Sequence, residues 1–414
     1  MTTSSINQLP ALLPRHLSQS VLEAMQDTPA VLINGPRQSG KTTLAKQCAP
    51  NLPYYTLDDP TLLNAVRADP LGFVQQLDQA IIDEVQRAPE LLLALKLSID
   101  QNRRPGRFLL TGSANLMALP QVSESLAGRI EILTLLPLSQ AELNQHPSQF
   151  LQSALTQTWP LQASSTFNSQ LTEQVLTGGF PEMQQRSKAS RRQAWARAYT
   201  TTLVERDIRD LAQLEQIRQV PQLLAIAAEL SGQLINLTQI GGQIGLDAKT
   251  VAKYLDLLER LFLIRRLPAW SRNHLKRLTK TPKLHFIDSG LQSTLTGLTA
   301  DKVFIDRRRF GATLETWVYG ELLKILSLTP EPWFLSHYRD NLKHEVDFVL
   351  ESPSQQVLGI EVKAAASVQI QDFKNLRVLR EHCGKQFVSG IVLYNGNHAI
   401  SFGEQFWAIP LQML

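Results

Sequence analysis

The sequence predicts an α/β protein with three parts: a parallel-sheet core, a helical middle ending in a winged helix, and a second α/β domain at the C-terminus. Three observations predict it. Short apolar runs alternate with helix-forming segments through residues 31–133, the pattern of a parallel sheet wound by helices. Residues 221–261 read as helix, helix, turn, helix. Two later runs, Glu345–Leu350 and Gly359–Ala364, alternate apolar and charged side chains as strands with one polar face do.

Length and composition bound the answer first. At 414 residues the chain is too long for one hydrophobic core, and 43% apolar residues fit a globular protein. The reading divides it into a core (1–145), a helical lid or connector (146–220), a winged helix (221–290) and a C-terminal domain (291–414). Lys plus Arg total 41 against 37 Asp plus Glu, so the net charge is only +4 and any basic surface is local. Cys48 and Cys383 belong to no metal spacing and read as buried thiols in a reducing compartment. The amino terminus lacks a signal-peptide pattern, and the apolar run Leu91–Ile99 is short and contains Lys96. The expectation is a cytoplasmic protein with no membrane span.

In the first segment, Val31-Leu32-Ile33 leads into Gly35-Pro36-Arg37-Gln38-Ser39-Gly40-Lys41-Thr42, and a helix former beginning with Thr43 follows. A glycine-rich loop between strand and helix turns backbone N–H groups and a helix N-terminus toward phosphate oxygens. Lys41 would reach the β- and γ-phosphates, and the Thr42 hydroxyl would hold Mg²⁺. Tyr54–Leu57 reads as a second strand. The run Ala80-Ile81-Ile82 ends in Asp83, which would order Mg²⁺, and Glu84, which would orient or deprotonate the attacking water. A further strand, Arg107–Thr111, ends in Gly112-Ser113-Ala114-Asn115; Ser113 and Asn115 either sense the γ-phosphate or cap the next helix. Together these motifs predict ATP binding.

The arrangement resembles the AAA-type ATPases, in which a strand is inserted between those carrying the two nucleotide motifs. The resemblance implies that Arg129, just before Ile130–Leu133, is a finger that reaches a neighbouring subunit's γ-phosphate in a homo-oligomer; the residue alone reads equally as a surface or salt-bridged arginine.

Residues 145–170, rich in Gln, Ser and Thr, read as a loosely packed connector. Helical spacing runs from Arg191 to Val220 through Trp195, Tyr199, Leu203, Ile208, Leu211 and Leu214. The arginines among them, 191, 192, 197, 206 and 209, read either as a solvated face or as contacts to nucleotide or a neighbour. In 221–288, Asp247 is a natural N-cap for the third helix. Phe262–Ala269 and Lys283–Asp288 are two strands of a wing, and Arg272, His274, Lys276, Arg277 and Lys280 form a basic tip between them. DNA contact and purely structural packing are both open readings of this segment.

At the C-terminus, a buried helix over Thr313–Leu326 carries Glu315 and Glu321. Alternation puts Val346, Phe348 and Leu350 on one face of their strand, with Glu345 and Asp347 on the other. Glu361 and Lys363 likewise share one face, so Asp347, Glu361 and Lys363 meet on one surface that Glu315 or Glu321 reaches from the helix. Such hard oxygen ligands suit Mg²⁺ or Mn²⁺, and a lysine beside the metal positions water and stabilises a pentavalent phosphate.

This pattern resembles the restriction-endonuclease-like, PD-(D/E)XK, fold. The resemblance implies Glu315, Asp347 and Glu361 as metal ligands, with the Val362 carbonyl beside them, and Asp347, Glu361 and Lys363 as catalytic residues. As a whole the chain resembles a bacterial and archaeal group of AAA-type ATPases with a C-terminal domain of unknown function. That resemblance covers nearly all of it, through the motifs above and Leu126-Ala127-Gly128-Arg129, Gly178-Gly179-Phe180-Pro181 and Phe286–Leu291. The Gly-Gly-Phe-Pro segment reads only as a tight turn, and Asp288 as a helix cap or a support for the acidic site. The expectation is an ATP-hydrolysing switch coupled to a DNA-handling, nuclease-like domain. The alternative is a regulatory ATPase whose C-terminal domain is an inactive partner-binding scaffold.

Overall fold

The computed structural model describes residues 13–113, 128–161, 170–207 and 217–414. Asn115, Leu126-Ala127, Ile208, Arg209, Leu211, Leu214 and the side chain of Arg206, all singled out above, lie outside the described residues. The chain forms two compact units. One comprises residues 1–138 with Arg260–Leu263, and the other residues 139–259 with 264–414. The connector, the C-terminal part and all of the 221–290 segment except Arg260–Leu263 therefore share a unit.

The first unit is a five-stranded parallel sheet in the order β2-β3-β4-β1-β5, with β1 Ala30–Asn34, β2 Tyr54–Thr56, β3 Ala80–Asp83, β4 Phe108–Gly112 and β5 Ile130–Thr134. Every residue of β1, β3 and β4 is buried, as central strands covered on both faces require. Alternate residues feed two cores. Leu32, Ile82 and Leu110 pack on one face, and Val31, Ile33, Ile81 and Leu109 on the other. As expected, β4 is inserted between β1 and β3, so their carboxyl ends lie side by side.

Between Val220 and Phe286, helices Val220–Glu229, Leu237–Ile244 and Ala248–Arg260 accompany a three-stranded antiparallel sheet. Its order is β6-β8-β7, with β6 Gln233–Leu234, β7 Ile264–Leu267 and β8 Lys283–Phe286. The Asp247 carboxylate accepts from the Lys249 and Thr250 N–H groups, the cap expected from sequence. A six-stranded mixed sheet follows, in the order β13-β14-β12-β11-β10-β9. Its strands are β9 Phe334–Arg339, β10 Glu345–Glu351, β11 Val357–Lys363, β12 Phe387–Tyr394, β13 Ile400–Ser401 and β14 Phe406–Pro410. Strands β9, β10 and β11 pair antiparallel, and β11, β12 and β14 pair parallel. Helix Arg308–Leu326 packs through Leu314, Trp317 and Val318 into the core on one face, and helix Lys374–Cys383 through Leu376 and Leu379 into the core on the other.

The structure corrects several expectations. Residues 145–170 are not all loose, because Phe150 and Ala154 on helix Phe150–Thr156 are buried in the same core as Ile391 and Leu393. Polar composition hid two apolar anchors. Val346 does not share a face with Phe348 and Leu350. A bulge between Val346 and Val349 inserts one residue, so Val346 joins Val349 in the opposite core. Cys383 is buried, whereas Cys48 is only half-buried. No described helix is long and apolar enough to cross a membrane.

The Gly-Gly-Phe-Pro segment has a physical reason. Asp288, buried at 3% exposure, accepts from the Gly179 N–H at 2.7 Å and caps helix Ser289–Leu295 through the Leu291 N–H at 3.0 Å. Gly178 has φ +69°, and a Cβ there would lie 2.3 Å from Asp288 Oδ1. Capping is therefore the structural role of Asp288, and the glycine makes room for its carboxylate.

Candidate nucleotide and acidic sites

The phosphate loop leaves β1 with Gly35 at φ +140°, where a Cβ would collide with the Leu135 carbonyl oxygen at 2.2 Å. Gln38 and Gly40 also take positive φ, and helix Lys41–Cys48 starts at once. Pro36 and Ser39 are buried, Arg37 and Gly40 are half-buried, and Gln38 and Thr43 are exposed. Lys41 is 4% exposed, and among the described residues its ammonium has one hydrogen-bond acceptor, the Pro36 carbonyl at 2.8 Å. Burial pulls its pKa down to about 8, against the opposing charges of Glu84 and Asp83. Among the described residues the buried Ser39 hydroxyl and Asn34 side-chain oxygen have no hydrogen-bond partner.

Asp83, at the end of β3, accepts from the Thr42 hydroxyl at 2.9 Å and 3.1 Å, from Tyr54 Oη at 2.8 Å, and from the Thr111 hydroxyl. The sequence reading missed Tyr54 and Thr111. In the β2–β3 register Tyr54 lies opposite Ile81 and Thr56 opposite Asp83, so Tyr54 stands two residues before the Asp83 level on the neighbouring strand. Burial and the Asp83 carboxylate push the Tyr54 hydroxyl up to about 12. Glu84 sits at φ +60°, a left-handed conformation that costs a non-glycine residue about 1–2 kcal/mol. Its carboxylate is held by Gln86 Nε2 and the Ser113 hydroxyl, and Gln86 Oε1 receives the Ser113 N–H. Ser113 thus faces Glu84, while Gln86 is a third member that the sequence reading did not single out. Arg15, also missed, donates to the Ser39 carbonyl at 2.7 Å and the Leu136 carbonyl at 2.6 Å, bracing the loop. Arg129 is paired through two nitrogens with Asp100 on helix Leu91–Gln101, at 2.7 Å and 3.0 Å.

The second unit gathers a different set. Glu315, Glu345 and Asp347 surround the ammonium of Lys283, which projects from β8 and is 2% exposed. Its Nζ lies 2.7 Å from Glu345, 3.1 Å from Glu315 and 3.7 Å from Asp347. Burial lowers the Lys283 pKa, but the carboxylates outweigh it and the net shift is upward. Burial, then the Asp347 charge, raise Glu315 to about 8 against the pull of Lys283. Asp347 accepts from the Val362 N–H at 2.9 Å, which fixes it beside β11. Glu361 is buried, with Lys363 at 3.8 Å and the Asn375 amide at 3.5 Å, and burial together with Asp347 raises its pKa. Glu321 is directed elsewhere, to Lys324 and the Gln140 N–H.

The expected metal ligands Glu315, Asp347 and Glu361 do not make a metal centre. Among the described residues no group of three or more His, Cys, Asp or Glu side chains is placed to hold an ion. The physical reason is Lys283, whose charge lies where the carboxylates converge. The basic tip is also reduced. Arg277 is tied to Glu351 at 2.6 Å, and Lys280 donates to the Arg339 carbonyl, which leaves Arg272 and Lys276 exposed.

Residues 27–144 match the family described as AAA domain, the same stretch that carries the phosphate loop, the acid pair and the inserted-strand order. Residues 168–302 and 310–414 match two families, each described as a domain of unknown function (DUF8612 and DUF4143). The chain is 28% identical over 403 residues to "Uncharacterized protein Rv2008c" of Mycobacterium tuberculosis, covering 97% of this chain and 84% of that one. It is 21% identical over 408 residues to an uncharacterized Haemophilus influenzae protein, covering 92% and 94%. Among solved structures, a RuvB mutant of Thermotoga maritima aligns over 62% of this chain and 90% of its own, at 19% identity and a TM-score of 0.30. That score is too low to carry an argument.

Proposed function

We propose that this protein is an ATP-hydrolysing switch whose second unit handles DNA. The observation that carries the ATP reading is the buried Lys41 ammonium, which has one carbonyl partner and stands beside the Thr42–Asp83 pair. A buried cation with unfilled donor capacity, beside a loop hydroxyl at Ser39 that can also donate, fits a polyphosphate. A hydroxyl and a carboxylate already in contact fit Mg²⁺, so Thr42 and Asp83 are the residues that would hold it. The ion would supply charge neutralisation for the phosphates. Glu84, held by Gln86 and Ser113, orients water, and Arg129 serves a neighbouring subunit in a homo-oligomer. Glu84→Gln tests this. ATP binding by calorimetry persists while phosphate release falls by about 10²–10⁴-fold. Undiminished release removes Glu84 from the mechanism.

The helix–strand–helix–helix–strand–helix–strand order of residues 220–286, in which the short helix His274–Thr279 lies between β7 and β8, supports a winged helix, with exposed Arg272 and Lys276 available to phosphates. Helix Arg308–Leu326, antiparallel β9–β11, helix Lys374–Cys383 and parallel β12 support a restriction-endonuclease-like scaffold. Lys283 among the acids favours the version of this reading in which the scaffold binds without cleaving. Salt-dependent DNA binding without strand scission at millimolar Mg²⁺ is the expected result. Metal-dependent cutting that Lys363→Ala abolishes would reverse it.

A further inference from the structure

The resemblance to a metal-dependent fold implies a divalent ion among Glu315, Asp347 and Glu361, and the residues present do not fit one. Lys283 enters from β8, outside the strands that carry Asp347 and Glu361. It makes hydrogen-bond contact with Glu345 and Glu315 and stands 3.7 Å from Asp347. The other charges are also answered by the protein. Arg339 binds Glu345 at 2.8 Å, the Val362 N–H binds Asp347, and Lys363 with Asn375 faces Glu361. Mg²⁺ demands oxygen ligands at about 2.0–2.1 Å in octahedral order, and an ammonium at the convergence point repels a dication.

A second observation concerns the imidazole beside the acids. His285, two residues along β8, is 0% exposed, and among the described residues neither ring nitrogen has a hydrogen-bond partner. Its Nε2 lies 3.7 Å from Glu315 Oε1, and its ring stacks on Tyr319 with centroids 4.5 Å apart. The imidazole is thus buried beside Glu315 without engaging it, and the cation in contact with that carboxylate is Lys283, at 3.1 Å.

We propose that Lys283 is the resident cation of this acidic site, standing in place of a divalent metal and joining β8 to β10 and the Arg308–Leu326 helix. The inference deepens the C-terminal part of the proposed function and stands apart from the ATPase part. Removing the ammonium exposes a carboxylate set that takes a divalent ion, and keeping it excludes one.

The test is Mn²⁺ binding to the full chain without nucleotide, followed by the electron paramagnetic resonance of free Mn²⁺. Because no ATP is present, failure of the ATPase reading leaves the result intact. Wild type should show no Mn²⁺ binding that Asp347→Asn removes. Lys283→Met should gain one Mn²⁺ at least about tenfold tighter than wild type, and Lys283→Met/Asp347→Asn should lose it. Lys283→Arg, which keeps the charge, should gain none. Folded Lys283→Met that binds no Mn²⁺ overturns the proposal. So does Asp347-dependent binding to wild type, an arm that decides the question even where Lys283→Met does not fold.

Discussion

Two buried lysines, one in each unit, are nearly equal in exposure and opposite in circumstance. Lys41 is 4% exposed and Lys283 is 2%. Burial disfavours the ammonium in both. At Lys41 nothing compensates fully, and the pKa falls to about 8. At Lys283 the charges of Glu315, Asp347 and Glu345 outweigh burial, and the pKa rises. A buried cation short of partners is poised for an anionic ligand, whereas one surrounded by carboxylates is already bound. The contrast separates a binding site from a structural junction.

The sharpest way to break this contrast is Lys283→Met. Removing one partner from a buried ionic group leaves uncompensated charge, so the expected loss of stability is about 3–5 kcal/mol near pH 8, read from urea unfolding. The loss should shrink at acid pH. Glu315 has a raised native pKa, so its protonated form is favoured on folding; that contribution is fully present below its ordinary range and fades as pH rises through about 8. Without Lys283 the penalty for ionising Glu315 grows. A deficit equal at pH 5 and pH 8 would show that charge is not its cause. Lys41→Ala should behave in the opposite way. It removes a charge-assisted contact worth about 1.5–3 kcal/mol, weakening ATP binding some ten- to hundredfold by calorimetry, while the apo protein unfolds at no lower urea concentration.

Sequence exposed the two sites unequally for a related reason. The phosphate loop is local, so Gly35 through Thr42 specify the turn, the helix start and the lysine within one contiguous segment. Asp83 was legible because an apolar run ended in it; strand–helix alternation implied only a parallel sheet, and the insertion of β4 followed from the resemblance to AAA-type ATPases. Arg15, Tyr54 and Gln86 escaped because each acts through a contact set by strand order or by a bend after the strand. At the acidic site, period-two alternation brought Asp347, Glu361 and Lys363 to the right strands. It failed at Val346, where a bulge breaks the period. Lys283 was taken only as part of a wing strand. Its carboxylate partners lie 32, 62 and 64 positions away by residue number, and no local pattern encodes such a contact.

Smaller in effect is the proton linkage at Lys41. With a native pKa of about 8 against an ordinary 10.5, Lys41 in the apo protein opposes folding below pH 8, and the penalty is relieved as pH rises through 10.5. Polyphosphate beside it raises the pKa again. ATP binding at pH 8 should therefore take up about half a proton at this residue. Calorimetry in buffers of different ionisation enthalpy measures this, and Lys41→Ala should abolish that component. Binding without such uptake would mean that Lys41 is already fully charged in the empty loop.

The smallest effect belongs to a third cation. Arg129 and Asp100 pair at 2.7 Å with side chains 21% and 35% exposed, so water screens what burial amplifies at Lys283. Asp100→Asn should leave the thermal midpoint unchanged within error. Arg129→Ala should also leave it unchanged, yet lower ATP turnover at high protein concentration, where a neighbouring subunit would receive the guanidinium. A midpoint that falls with Asp100→Asn would assign the pair to stability. Turnover per chain that is flat across protein concentration in wild type would remove the finger, and with it the argument for assembly.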